Sequence, residues 1–178
     1  DRWYTRFGPL SAIFLIPFQL IKGRYIPIVY ISVLFASLTT CIFYLLLLRI
    51  KKDFLPRMSL FSIVFFVILF AFGTAQFYVG TSSSVWHIDQ IISSFFGTLG
   101  IYIIFKKKLR DRDYFLSTFF ISFTLLGRMT VAGLLVLPFF LFFYHEKLHS
   151  IKKFFVLLIL PLMLFIILLS SFNYARFQ

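Results

Sequence analysis

Arg128 is the residue best placed to do chemistry, because it is the only charged residue between Tyr114 and Tyr144 in an otherwise apolar stretch. Basic segments precede and follow that stretch, at 106–112 and 147–153. Positive loops beside membrane segments stay on the cytoplasmic side. If both flanks are cytoplasmic, the chain must cross the membrane and return, with Arg128 at the turn. An arginine held at the outer end of a membrane hairpin can bind an anionic ligand.

The segment from Thr81 to Asp89 is the second candidate, since Asp89 is its only charged residue and it holds Trp86 and His87. An aromatic ring, an imidazole and a carboxylate at the mouth of a membrane span could contact a sugar or a lipid phosphate, with Trp86 as a stacking surface. Trp86 could instead belong to the interfacial aromatic belt, and His87 and Asp89 could cap the helix that begins there. Both interpretations stay open.

Residues 145–149 match the H-E-x-x-H pattern of zinc metalloproteases, with His145 and His149 as ligands and Glu146 as general base. Such a zinc needs a third protein ligand, and no His, Asp or Glu follows position 149. The pattern also lies in a lysine-rich loop, where polar residues are expected. We interpret it as a chance match and assign no metal-binding residue and no cofactor, although a requirement for a divalent cation stays open.

The composition indicates a polytopic membrane protein of the all-α class. Of the 178 residues, 61% are hydrophobic and 28 are phenylalanine, and the mean hydropathy is +0.96. A soluble domain does not need so much apolar surface. The net charge of +12 would suggest nucleic acid for a soluble protein. Here the basic residues lie in short loops, where they orient the chain and meet anionic lipid headgroups, so no nucleic-acid partner is expected.

The apolar runs predict a transmembrane bundle of about six membrane helices and one interfacial helix. The segment from Pro9 to Ile21 would reach only about 20 Å as a helix, so we expect it to lie at the outer surface. We treat residues 1–178 as a single domain, with 1–25 as an external loop, 26–171 as membrane helices and 172–178 as the start of another external loop. The predicted spans are Ile26–Leu48, Met58–Val79, Gln90–Phe105, the two arms of the 114–144 hairpin, and Phe154–Ser171.

The distribution of charge supports this topology. The loops 49–57, 106–112 and 147–153 hold twelve of the 18 lysines and arginines. One continuous helix over 114–144 would be about 46 Å long and would export the third of these loops. We therefore favour the hairpin, with all three basic loops in the cytoplasm. The predicted location is a bacterial cytoplasmic (inner) membrane.

Three short motifs resemble the GT-C class of integral-membrane glycosyltransferases, particularly bacterial proteins similar to dolichyl-phosphate-mannose protein mannosyltransferases. Residues 6–10 (RFGPL) and 16–18 (IPF) are similar to the end of that family's first large external loop. Residues 127–130 (GRMT) resemble the recurrent arginine between two short helices, and 172–177 (FNYARF) resembles a later external segment. The likeness covers most of the chain, and its order and sidedness carry more weight than any one motif.

The resemblance implies transfer of a hexose from a polyprenyl-phosphate-linked donor to a protein, lipid or glycan acceptor on the outer face of the membrane. The catalytic base would be an acidic residue of the first external loop. We expect it upstream of Asp1, in a longer chain of which these residues form an internal part, so no catalytic residue is assigned. Arg128 would bind the donor phosphate, and Trp86, His87 and Asp89 would line the outer mouth of the same cavity.

Other functions fit the same residues. In a transporter or flippase for an anionic lipid or solute, Arg128 would gate the substrate, although the chain shows no internal repeat of the kind common in transporters. An intramembrane zinc protease is the minor alternative, through the H-E-x-x-H pattern. A non-catalytic assembly subunit is compatible with the sequence as well.

Overall fold

The structure, a computed structural model, describes residues 9–22, 28–81, 85–146 and 151–177, apart from the side chains of residues 18, 19, 21, 22, 85, 86, 146 and 177. Every regular element in these ranges is helical, which confirms the all-α prediction. Nine α-helices are described: α1 Pro9–Lys22, α2 Ile28–Asp53, α3 Leu60–Gly73, α4 Ala75–Thr81, α5 Val85–Ile104, α6 Asp111–Phe123, α7 Val136–Glu146, α8 Ile151–Phe154 and α9 Leu160–Phe177.

The number of complete membrane crossings is smaller than the sequence predicts. Within the described ranges, three helical segments are long and apolar enough to span a bilayer: Ile28–Asp53, His87–Ile104 and Ile151–Arg176. A fourth crossing exists if α3 and α4, which meet at a 52° bend, count as one broken span. The prediction of six was wrong because the arms beside Arg128, α6 and α7, have 13 and 11 residues. Each reaches about 20 Å or less, against a hydrocarbon core of about 30 Å.

Two of the spans are irregular for local reasons. The bend between α3 and α4 lies at Thr74, whose hydroxyl donates to the Phe70 carbonyl (2.7 Å) and accepts from the Gln76 N–H (3.2 Å). The last span contains a π-helical turn, Phe155–Ile159, between α8 and α9. Pro161 follows this turn and has no N–H for a regular helical bond, so the extra residue of the π turn relieves the conflict.

The chain reverses direction around Arg128, as the charge pattern predicts. The Tyr114 hydroxyl of α6 lies 3.4 Å from the Leu141 carbonyl of α7, and the rings of Tyr114 and Phe142 are 5.4 Å apart. In one straight helix these residues would be about 40 Å apart. Two 3-10 turns, Thr124–Leu126 and Val131–Leu135, flank the reversal.

Helix α1 is anchored in the bundle at its beginning rather than lying wholly on the surface. Leu10 is fully buried, whereas Ile13, Ile16 and Leu20 farther along are exposed. The Phe14 ring packs against rings of three other helices, Phe35 of α2, Phe96 of α5 and Phe123 of α6, at 5.2, 5.7 and 6.2 Å. Because lipid is as apolar as a side chain, such close packing holds membrane helices together.

The basic segments that the structure describes meet at one end of the bundle. The Lys107 N–H donates to Asp53 (3.3 Å), which joins the segment after α5 to the end of α2. The Lys153 ammonium lies 3.2 Å from Asp111, which joins α8 to the beginning of α6. Arg49 hydrogen-bonds the Tyr102 carbonyl, and its guanidinium lies 3.7 Å from the centre of the Tyr102 ring.

Candidate functional site

The site begins with Asp89, which lies in the second turn of α5 and is only 3% exposed. One of its carboxylate oxygens accepts the backbone N–H of Ser11 at 2.9 Å. Ser11 is the third residue of α1, where backbone N–H groups have no partner inside the helix. Asp89 therefore caps α1 from another helix, and its negative charge faces the positive end of the helix dipole.

Arg128 belongs to the same cluster. Its positive charge is close enough to Asp89 to interact with the carboxylate electrostatically. The backbone N–H of Arg128 donates to the Thr124 carbonyl at 2.8 Å, which holds it at the end of the first 3-10 turn. The side chain is partly buried. Arg128 and Asp89, which the sequence assigns to one cavity, are therefore within electrostatic range of each other.

Glycine at position 127 permits this arrangement. A Cβ atom there would lie 2.6 Å from a methyl carbon of Leu10 and 2.8 Å from the Ser93 hydroxyl oxygen. Both distances are shorter than van der Waals contact, so any larger residue must displace either the turn or the side chains of Leu10 and Ser93. Because Gly127 has no side chain, the backbone of the turn can lie close to Leu10 at the buried start of α1.

The cluster lies far from the basic end of the bundle. Asp89 is near the beginning of α5, and the basic segment 106–112 follows the end of the same helix. The fifteen residues from Asp89 to Ile104 correspond to about 22 Å along the helix axis. The adjacent Gly127 lies against Ser93 of α5, so Arg128 is held inside the bundle, away from the basic end.

A hollow of about 320 Å³ lies between α5, the second 3-10 turn and the α3–α4 break. Three hydroxyl-bearing residues line it, Ser94, Thr98 and Thr130, the last only two positions from Arg128. Ser94 and Thr98 are four residues apart and so share one face of α5. Gln76, Phe70, Val131 and Leu134 complete the lining.

Of the remaining predicted site residues, His87 is the one whose side chain the structure describes. The His87 ring packs edge-on against Tyr78 of α4, with the ring centres 5.3 Å apart. Trp86 belongs to α5, but its side chain is outside the described part, and Asp1 is outside it entirely. The proposed common cavity mouth of Trp86, His87 and Asp89 therefore stays a prediction.

The H-E-x-x-H pattern falls only partly on described residues. His145 is exposed near the end of α7, with its ring 5.1 Å from that of Tyr144, while His149 is outside the described ranges. Among the described residues, no group of three or more His, Cys, Asp or Glu side chains could hold a metal ion.

Sequence reasoning missed three polar residues whose neighbours lie on other elements. Ser11, Ser93 and Gln76 were assigned no chemical role, although Gln76 is the only amide side chain in the apolar segment 60–79. That isolation was the available signal, because an amide in a membrane segment needs a polar partner. Nothing comparable distinguished Ser11, whose role depends on its backbone N–H.

Comparisons of the chain with known protein families, with curated proteins and with solved structures gave no match.

Proposed function

We propose that this chain forms the membrane domain of a GT-C-type glycosyltransferase that takes a hexose from a polyprenyl-phosphate-linked donor. The observation that carries the proposal is the position of Arg128, at a chain reversal inside the bundle and away from the basic end. Its neighbour Thr130 lines a hollow with two further hydroxyl-bearing residues. We take the anionic ligand to be a lipid-linked phosphate because of the resemblance to GT-C enzymes.

The chemistry of the two charged residues assigns them different roles. A guanidinium can bind two phosphate oxygens through parallel hydrogen bonds, which fixes the orientation of the phosphate as well as its charge. Asp89 is engaged with the first turn of α1. We therefore assign Asp89 to capping α1 beside Arg128 rather than to proton transfer. We assign neither a catalytic base nor a site for a divalent cation.

The test compares Arg128→Ala and Arg128→Lys in the whole protein reconstituted in lipid, with binding and transfer of polyprenyl-phosphate-linked mannose as the readouts. We expect Arg128→Ala to weaken donor binding by tenfold or more, because a charge-assisted hydrogen bond contributes about 1.5–3 kcal/mol. Arg128→Lys should keep part of the affinity, since lysine retains the charge but loses the paired geometry. Running the transfer assay with and without Mg²⁺ would decide the cation requirement.

Arg112→Ala is the matched control, because that side chain is 70% exposed at the basic end of the bundle. It removes the same charge far from the proposed site and should leave donor binding unchanged. Equal donor affinity in Arg128→Ala and Arg112→Ala would remove Arg128 from the mechanism.

A transporter or flippase for an anionic lipid is the second candidate, and the 52° break between α3 and α4 favours it. Discontinuous helices are common where transporters bind their substrates. Reconstituted vesicles without any acceptor distinguish the two functions. Movement of the lipid between leaflets without loss of its sugar would support transport, whereas sugar transfer that requires an acceptor would support the transferase.

A further inference from the structure

A cavity of about 480 Å³ lies between α2, α3 and α4, separate from the hollow beside α5. Its volume is in the range of small-molecule sites, which is about 300–1,000 Å³. Among the described residues that line it none is charged, and most are apolar, including Val33, Val67, Ile68 and Phe72. An ionised ligand would have no opposite charge to pair with in these surroundings, so the cavity suits an uncharged one.

Gln76 gives this cavity an unsatisfied hydrogen-bond donor. It lines the cavity as well as the hollow, and its side-chain nitrogen is buried without a hydrogen-bond partner among the described residues. The Thr40 hydroxyl donates to the Ala36 carbonyl at 3.0 Å, and the Thr81 hydroxyl donates within its own helix at 2.8 Å. An amide donor without an acceptor is costly where lipid replaces water. The cavity therefore favours a ligand with an acceptor oxygen.

The depth of the cavity indicates where such a ligand comes from. Its lining residues on α2, from Val33 to Cys41, lie about 18–30 Å along the helix from Asp53 at the basic end. Helix α4 lies at the same level, because a Cβ atom added at Gly80 would be 2.7 Å from the Cβ of Ala36. A hydrocarbon core of about 30 Å that begins near the basic end therefore ends close to α4.

We propose that this cavity binds a fatty acyl ester from the half of the bilayer away from the basic end. The ester carbonyl accepts a hydrogen bond from the Gln76 amide, and the acyl chain lies against Val67 and Ile68. Esters are the uncharged acceptors that bilayer lipids carry where the hydrocarbon core ends, with an apolar chain attached. The inference concerns binding alone, in a cavity that the proposed function does not use, so it holds whether or not the protein transfers a sugar.

Cys41 reports on occupancy, because it lines the cavity and is the only cysteine of the 178 residues. The protein is placed in nanodiscs of dialkyl-ether phosphatidylcholine, a lipid without ester carbonyls, and alkylation of Cys41 by N-ethylmaleimide is followed by mass spectrometry of its peptide. Methyl laurate and tetradecane, which have similar chain lengths, are added separately. We expect methyl laurate to slow alkylation in a saturable way, with half-protection at about one fifth of the tetradecane concentration, because it bonds to Gln76.

Gln76→Met removes the amide while keeping a long flexible side chain. We expect the two probes to protect Cys41 at equal concentrations in this variant, because neither can then form the hydrogen bond. Gln90→Met is the matched control. Gln90 lies on α5 and does not line the cavity, so the preference for methyl laurate should persist.

Ala71→Leu tests the position of the acyl chain independently, since Ala71 lines the cavity and the larger side chain narrows it without removing Gln76. Protection by methyl laurate should weaken several-fold, which keeps the experiment decisive if Gln76→Met does not fold.

Equal protection of wild-type Cys41 by methyl laurate and tetradecane, or protection by neither, would overturn the proposal. Stronger protection by dodecyl phosphate or dodecyltrimethylammonium would do the same, because the cavity would then prefer a charged ligand. A preference for methyl laurate that persists in folded Gln76→Met, or undiminished protection in Ala71→Leu, would remove the assigned contacts.

Discussion

Gly127 shows how a residue without functional groups shapes the candidate site. The turn before Arg128 can approach α1 and α5 only because position 127 has no side chain, since an added Cβ would fall within 2.8 Å of both Leu10 and Ser93. Leu10 is fully buried, so it has little room to move away. The position of Arg128 beside Asp89 therefore depends on a neighbouring residue that takes no part in the chemistry.

Gly127→Ala should lower the free energy of unfolding by about 1–3 kcal/mol, the usual cost of forcing extra volume into a packed region. Unfolding by a denaturing detergent in mixed micelles provides the measurement. Gly133→Ala is the control, because a Cβ at that position meets nothing within 4 Å. Equal stability of the two variants would show that the turn does not pack as closely as described.

At the scale of elements, Asp113 stabilises the first turn of α6. Asp113 is buried, accepts the Arg110 backbone N–H at 2.7 Å and lies 2.6 Å from the Lys106 ammonium. A carboxylate at the third helical position that accepts this N–H satisfies one of the unpaired donors at a helix start. The short helix that leads to Arg128 therefore begins at a defined residue.

Asp113→Ala should destabilise the protein by about 2 kcal/mol or more, because it removes a helix cap and leaves a partly buried lysine without this partner. Thermal unfolding of the purified protein measures the effect. Asp111→Ala, two residues earlier, breaks only the exposed pair with Lys153 and should cost about 1 kcal/mol or less. If both substitutions cost the same, the buried pair is no stronger than an exposed one.

The irregular elements show where sequence patterns stop being informative. Hydropathy predicts where α2 and the last span begin to within three residues, but it does not distinguish a straight helix from one broken at Thr74. Continuous apolar composition over 58–79 is compatible with both. The helix also continues through Phe177 rather than ending at Ser171, because polar residues such as Asn173 and Arg176 do not by themselves end a helix.

At the scale of the whole molecule, the contacts between basic segments define one end of the bundle. Asp53 and Asp111 each join two of these segments, whereas Asp89, which interacts electrostatically with Arg128, lies about 22 Å from the end of α5. Positive loops remain in the cytoplasm. We therefore expect the Arg128 end to face the outside of the cell.

Cysteine labelling tests this orientation. In a Cys41→Ser background, a single cysteine replaces either Lys108 at the basic end or Met129 beside Arg128. The Met129 side chain is 65% exposed. A membrane-impermeant maleimide should label position 129 from outside the cell and position 108 only after the cells are opened. Labelling of both positions from the same side would refute the orientation.

Hydropathy and charge, which are local properties, determined the class of the protein, the approximate positions of its long apolar helices and the reversal at Arg128. Each depends on the composition of a short segment and on its transfer between water and lipid, so no long-range contact is needed to infer it. Only the tertiary structure decided that Asp89 caps α1 through Ser11 and that Gln76 lines a hollow with Thr130 and two hydroxyl-bearing residues of α5. Those contacts join residues distant along the chain, and the packing of the helices alone brings them together.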